Sequence, residues 1–359
     1  MRLILTADIH CGIPGKIKDC IWSMDIIRQY ANDNNIDEVL ILGDLFHDRV
    51  SLNIEVLNAV YNQLKQSKED GQHWLTFPGN HDMYMKNSWE VNSLRVLGEV
   101  ITVYDKVGAI SIGKIKFLVI PFVYYESKYM ETLAEVEKQA DENDILLTHI
   151  GVNGAKLNEC FLLKNWNIVD FSKSKFKQIY TGHFHCHQQV GHNVWYPGSP
   201  IPFRFDEGLV DHGFFVLDLD TKKHTFIKIF DICEKYSDYR PPDYITLVDT
   251  DLTKATGNFP KNNIRVILSK EYTHDELMGV KNILQKRGAI NVSWSMPQKN
   301  IDEAVATSCD IEKVNSPEDL FNSWLEVDKP DLDKKLLAQI LGQVTKEAEE
   351  RLVTEEVEE

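Results

Sequence analysis

The sequence predicts an α/β protein in which two mixed β-sheets pack face to face, flanked by helices, with a small α+β cap and C-terminal helices behind them. Three observations carry this. Short apolar runs alternate with amphipathic helical stretches over the first part of the chain, the pattern of βαβ units and a parallel sheet. After about residue 100 the chain becomes strand-rich, so a second, partly antiparallel sheet is expected. Pro241-Pro242 then marks a boundary before another strand–helix–strand pattern.

Element by element, Arg2–Thr6 is a buried-strand run and 8–15 a loop, and Ile17, Ile21, Met24 and Ile27 follow at helical spacing. Strand 38–42 ends at Gly43-Asp44. Ser51 is the expected N-cap of a helix carrying Ile54, Leu57, Tyr61 and Leu64 on one face. Strand 74–77 runs into Pro78-Gly79-Asn80-His81-Asp82. Further strands are expected over 115–121, 144–148, 177–181, 213–219 and 224–230, with one helix around 127–141. A small βαβ module follows from 264–268, 275–286 and 290–294. Ser316-Pro317-Glu318-Asp319 reads as a helix start, with Ser at the cap and acids near the positive end of the dipole.

The 359 residues include 39 Lys and Arg against 55 Asp and Glu, a net charge of −16, which excludes a nucleic-acid binder that is basic all over. The charge is unevenly spread. Residues 301–359 hold 17 acidic and 6 basic groups, a net of −11, which leaves −5 for the rest. Whole-chain charge is therefore a poor guide to what the first 300 residues bind. No run approaches the ~20 apolar residues of a membrane span, and a cytoplasmic protein is expected. Six cysteines show no CxxC spacing, so they are read as reduced thiols.

Polar motifs stand where the predicted strands end, the place where open α/β sheets carry their sites. Asp8-Ile9-His10 follows the first strand, Gly43-Asp44-Leu45-Phe46-His47-Asp48 the second and Gly79-Asn80-His81-Asp82 the third. Thr148-His149 and Gly182-His183-Phe184-His185 end two later strands. Carboxylates, an amide oxygen and imidazoles form the mixed O/N set that suits manganese, iron or zinc. Asp8 and His10, two residues apart, can point towards one metal, and so can His183 and His185. Asp44 can bridge two cations held ~4 Å apart, the separation used for in-line displacement at phosphorus. The glycines at 43, 79 and 182 are expected to let the backbone turn sharply. His187, His192 and His212 match no such position and are read as structural; Cys11 and Cys186, which adjoin His10 and His185, are expected to be buried.

These blocks, D-x-H, G-D, G-N-H-D, a lone His and G-H-x-H in that order across residues 8–185, resemble the calcineurin-like metallophosphoesterases. The resemblance implies that Asp8, His10 and His185 bind one metal, that Asn80, His149 and His183 bind the other, and that Asp44 bridges them. It also implies that His81 protonates the leaving oxygen and that Asp82 orients it. Within the superfamily, Gly43-Asp44-Leu45-Phe46-His47 and Tyr196-Pro197-Gly198-Ser199-Pro200 are similar to the SbcD-type DNA repair nucleases, and among them to the recombination nuclease subunits of T-even-type phages.

That likeness implies a nuclease subunit, with His47 as a helper at the scissile phosphate. Two divalent ions are implied, manganese ahead of magnesium, with 3′→5′ exonuclease action on duplex ends and endonuclease action on single strands or hairpins. Lys86, Arg95 and Arg204 are candidate DNA contacts. The implied division is a nuclease domain over 1–240, a capping domain over 241–300, an acidic linker over 301–315, a helical segment over 316–352 and an acidic tail over 353–359. Leu320, Phe321, Trp324, Leu336, Leu337, Ile340 and Leu341 form amphipathic stripes for an SMC-like coiled-coil ATPase, and a homodimer is implied. Two alternatives stay open: a phosphoesterase of the same fold acting on a small phosphodiester or phosphoprotein, and a non-catalytic scaffold.

Overall fold

The computed structural model describes residues 1–158, 161–162, 169–251, 259 and 261–295, all within the unit Met1–Ser295. The linker, the ATPase-binding stripes and the tail expected over 301–359 lie outside the described residues.

In chain order the elements are β1 (Arg2–Thr6), α1 (Ile17–Asp33), β2 (Glu38–Ile41), α2 (Ile54–Glu69), β3 (His73–Thr76), β4 (Thr102–Val103), β5 (Gly108–Ile112) and β6 (Ile115–Ile120). Then come α3 (Glu126–Gln139), β7 (Ile145–His149), β8 (Lys156–Asn158), β9 (Phe161–Leu162), β10 (Ile179–Gly182), β11 (Gln188–Val190), β12 (Val194–Tyr196), β13 (Gly213–Asp218) and β14 (His224–Lys228). A short α4 (Ile229–Ile232) leads to β15 (Tyr244–Val248), β16 (Asn263–Ile267), α5 (His274–Lys286) and β17 (Asn291–Ser295).

Two six-stranded mixed sheets result. One runs β14-β13-β1-β2-β3-β4, with β1 to β4 parallel and β13 antiparallel to β1. The other runs β11-β12-β10-β7-β6-β5, parallel across its centre and antiparallel at both edges. The period-2 alternation of side chains decides what each face buries. Leu3, Leu5, Leu40 and Leu75 of the first sheet meet Phe117, Val119, Ile145 and Leu147 of the second in one apolar layer. The alternate residues Ile4, Val39, Ile41 and Trp74 turn outward and pack on α1 and α2, while Leu118, Ile120 and Leu146 pack on α3.

The sheets are not sequential halves of the chain, because β13 and β14 return to the first sheet and pair β1 from Arg2↔Asp218 to Leu5↔Phe215. Three local expectations are corrected. Asn53 rather than Ser51 caps α2: its side-chain oxygen accepts from the Glu55 N–H at 2.7 Å, while the Ser51 hydroxyl donates to Asp48. The buried face of α2 is Val56, Val60 and Leu64 at four-residue steps, and Ile54, at the first helical position, is 81% exposed. The strand expected over 224–230 stops at Lys228.

The parallel sheet β15-β16-β17, with α5 between its last two strands, encloses its own small core of Phe259, Ile264, Val266, Leu268, Leu284 and Ala289. Thr273 and Glu276 close a reciprocal capping box at the start of α5.

Candidate metal centre

The carboxyl ends of parallel strands from both sheets meet at one place. β1 delivers Asp8 and His10, β2 delivers Asp44 and His47, β3 delivers Asn80, His81 and Asp82, β7 ends in His149, and β10 leads into His183 and His185. All ten residues assigned to metals or chemistry are thus drawn into one network of contacts.

Backbone bonds strap the loops together. Asp8 N–H donates to the Gly43 carbonyl at 3.2 Å, His10 N–H to Asp44 at 3.0 Å, and His47 N–H to Cys11 at 3.0 Å. Seven non-glycine residues among those described have positive φ, and four of them are here: Asp8 (52°), His10 (51°), Asp44 (54°) and His183 (105°). Such backbone costs on the order of 1–3 kcal/mol per residue and gathers at functional sites, whereas residues that merely cap strand ends need none of it.

Glycine is required here mainly for closeness rather than for sharp turning. Gly43 has φ +85°, but Gly79 does not lie in the left-handed region; a Cβ on Gly79 would fall 2.2 Å from Asp44 Oδ1. A Cβ on Gly43 would lie 2.5 Å from His149 Nδ1.

Asp8, His10 and His185 form one tight donor group, and Asp8, Asp44 and His149 form another. Asp44 stands between them, its Oδ2 3.7 Å from His10 Nε2 and 3.3 Å from His149 Nε2. Asn80 Oδ1 lies 3.0 Å from His149 Nε2 and 2.9 Å from His183 Nδ1. His149 Nδ1 donates to the Leu42 carbonyl at 2.8 Å, so in the neutral ring Nε2 carries a lone pair aimed at two oxygen acceptors. Acceptors facing acceptors need a positive charge between them, either a proton or a cation. The clusters are therefore consistent with a binuclear metal site.

The titration of these groups reflects the same crowding. Burial lifts the Asp8 carboxyl to about 6, although His149 and His185 pull it down. Burial opposes the charge of Asp44, but His149, His10 and His81 hold its carboxyl well below the usual range. For His149 burial is outweighed by Asp44, and the imidazole rises to about 9. Burial pushes His183 down to about 3 and His10 well below its ordinary value. His185 is raised by Glu207 against the effect of burial.

His47 and His81 stack with ring centroids 5.3 Å apart, 13° from parallel, and His10 meets both edge-on. The expected orienting role of Asp82 is corrected. Its Oδ2 accepts from the N–H groups of Asp44 (2.8 Å) and Gly79 (3.0 Å) and its Oδ1 from Phe46 (3.1 Å). Asp82 thus fixes the loops that hold Asp44, and burial with the neighbouring Asp44 charge lifts its carboxyl to about 7. His81 is oriented instead by the His47 carbonyl, 2.5 Å from its Nδ1.

Two residues escaped the sequence reading. Glu207, buried, holds His185 through a 2.8 Å contact between Oε1 and Nδ1; burial is outweighed by that contact, and its carboxyl falls to about 2. Arg49 donates to the Asn80 carbonyl at 2.9 Å, and its place one residue after Gly43-Asp44-Leu45-Phe46-His47-Asp48 was the available signal.

The candidate DNA contacts are scattered. Lys86 lies 4.8 Å over the Tyr124 ring, and with Tyr124, Arg49 and Asn80 it lines a shallow hollow. Arg204 pairs with Asp206 and Glu207, and Arg95 pairs with Asp105. His212 is structural, its Nε2 2.9 Å from the Glu207 carbonyl, and Cys11 and Cys186 are buried. No helix among the described residues is long and apolar enough to cross a membrane.

Comparison with known proteins follows the same lines. Residues 1–187 match the family described as Calcineurin-like phosphoesterase. Exonuclease subunit 1 of Enterobacteria phage T4 is 25% identical over 238 residues, covering 63% of this chain and 67% of that protein. Putative phosphoesterase 244L of Invertebrate iridescent virus 6 is 22% identical over 263 residues, 66% of this chain and 89% of its own. Putative phosphoesterase 078R of Invertebrate iridescent virus 3 is 24% identical over 185 residues, and the match spans 49% of this chain and 51% of that protein.

Proposed function

The chain belongs to the calcineurin-like phosphoesterase family, and from that premise we propose that it is the catalytic nuclease subunit of a DNA recombination and repair complex. The likeness to the phage Exonuclease subunit 1 carries the step from phosphoesterase to nuclease. Asp8, His10 and His185 would hold one divalent cation and Asn80, His149 and His183 the other, with Asp44 shared, manganese being preferred to magnesium. Bound there, the cations supply Lewis acidity to a phosphoryl oxygen and offset the charge gained in the transition state.

The protein's own groups do the rest. His81 is committed through Nδ1–H to the His47 carbonyl, so it is the imidazolium that gives the Nε2 proton to the departing sugar oxygen, leaving the neutral ring with its Nδ1–H bond intact. His47, stacked on His81, fixes that ring and faces the same phosphate. Asp82 keeps Asp44 in place through the Asp44 N–H. Lys86, Arg95 and Arg204 contact the phosphate backbone; exposed ion pairs such as Arg95–Asp105 are worth little, so they yield readily to phosphate.

The proposal includes the polarity implied by the resemblance, 3′→5′ on duplex ends, with endonuclease action on single strands and hairpins. It also includes a homodimer in the cytoplasm, the domain divisions at 240 and 300, and an SMC-like ATPase gripped by the stripes from Leu320 to Leu341. The test compares manganese-dependent release of nucleotides from end-labelled duplex DNA with hydrolysis of bis-p-nitrophenyl phosphate. Turnover of both supports the proposal. Turnover of the small diester alone assigns the chain to a phosphoesterase with another substrate, and turnover of neither makes it a scaffold.

A further inference from the structure

We propose that Glu207 is the positioning residue of His185, and that the loop carrying it, 203–208, makes the position of that imidazole depend on the three-stranded module β15-β16-β17. The inference rests on the reading of His185 as a ligand of one divalent cation.

Glu207 lies 22 residues beyond His185 and reaches it through one oxygen, Oε1, 2.8 Å from Nδ1. The carboxylate is 1% exposed, and its other oxygen accepts from the Phe203 N–H at 2.7 Å. It cannot swing away without leaving a buried N–H unpaired. The loop backbone is held as well: the Glu207 carbonyl meets His212 Nε2 at 2.9 Å, and the Glu207 N–H donates to Arg204 at 3.2 Å.

A carboxylate on one nitrogen of a ligating histidine fixes the tautomer and raises the basicity of the other nitrogen. Here Nδ1–H is the donor, so Nε2 bears the lone pair. It lies 3.0 Å from His10 Nε2, within the Asp8–His10–His185 group.

The same loop is gripped from its other side. Phe205 meets the ring of Tyr244, on β15, edge to face at 5.0 Å, and the Arg265 guanidinium, on β16, lies 4.3 Å over the Phe205 ring. Gly208 approaches β15 so closely that a Cβ would come 2.1 Å from the Tyr244 carbonyl oxygen. Tyr244 also has Lys16 Nζ 5.0 Å from its ring, on the segment that leads from the His10 loop into α1. A shift of β15 is therefore felt directly by the residues on both sides of Glu207. Whatever binds the module has a packed route to the cation site.

The experiment titrates manganese into the full chain and follows free and bound ion by electron paramagnetic resonance and by calorimetry, with thermal unfolding as the check on folding. The wild type takes up two ions. Glu207→Ala weakens one class of site roughly 10–100-fold and spares the other. Glu207→Gln, which keeps an oxygen for the Nδ1–H but loses the charge, falls between. Phe205→Ala, away from the imidazoles, weakens the same class roughly 2- to 30-fold.

Wild-type affinity at both sites in a folded Glu207→Ala protein overturns the positioning role, and if that variant does not fold, Glu207→Gln decides in its place. Wild-type affinity in Phe205→Ala overturns the coupling to the module. Uptake of fewer than two ions by the wild type refutes the metal reading itself, a result distinct from either.

Discussion

Metal loading should expel protons, and the structure says how many and over what pH range. In the metal-free protein the Asp44 carboxylate outweighs burial and raises His149 to about 9. A cation that uses the Nε2 lone pair must displace that proton. At about pH 7.5 the imidazole sits about 1.5 units below its pKa, so nearly every molecule is protonated, and the displacement costs about 2 kcal/mol, roughly 30-fold in affinity.

The sign follows from the direction of the shift. A pKa raised in the metal-free state penalises binding below that pKa, so affinity climbs up to tenfold per pH unit and levels off above about 9. Asp8, lifted by burial to about 6, adds a second proton only near and below that pH. His183, pushed down by burial to about 3, and His10, also pushed down, are already unprotonated and add none. Raised by Glu207, His185 acts in the same sense as His149. Calorimetry with manganese in two buffers of different ionisation enthalpy reads the released protons: at least about one near pH 7.5, more towards pH 6. Manganese binding without proton release, and with equal affinity at about pH 6.5 and 8.5, would refute the assignment of His149 to the site.

Other perturbations test the scaffold and the chemistry. Gly79→Ala places a methyl 2.2 Å from Asp44 Oδ1 and 2.5 Å from its backbone nitrogen, so a loss of about 1–3 kcal/mol is expected in denaturant unfolding; an unchanged midpoint would show that the loops give way freely. Asp82→Ala strips an acceptor from the N–H groups of Asp44, Gly79 and Phe46, and at about 1–3 kcal/mol for each buried orphan it should be among the most damaging single changes. Asp82→Asn should cost less, and the reverse order would contradict the loop-fixing role. His81→Ala should lower kcat about 10²–10⁴-fold with manganese content unchanged, and wild-type turnover would remove His81 from the chemistry.

The centre was legible in the sequence because each of its parts sits at the end of a strand and beside a short-range marker. Asp8, Asp44, Asn80 and His149 follow apolar runs whose period is local, and the glycines before Asp44 and Asn80 mark the loops, although the close approach that requires them depends on residues far along the chain. Glu207 has no such marker. Its partner is 22 residues away, and the chain between them is folded back by the Ser199 N–H bond to the His185 carbonyl and by the turn that Arg204 and Glu207 close. Asp82 was misread for the opposite reason: adjacency to His81 suggested a pair, whereas the turn after Gly79 sends its carboxylate to backbone N–H groups of another loop.

The apolar run 213–219 announced a strand but not its sheet, because pairing of β13 with β1 depends on a contact more than 200 residues away in sequence. The cap of α2 moved from Ser51 to Asn53 because both side chains can accept an N–H, and only the backbone path decides which one does.

Anomalous diffraction from crystals of the full chain soaked in manganese tests the central claim most directly. The account predicts two peaks, both against the Asp44 carboxylate, one on the side of Asp8, His10 and His185 and the other on the side of Asn80, His149 and His183. A single peak, or two peaks that do not share Asp44, would contradict it.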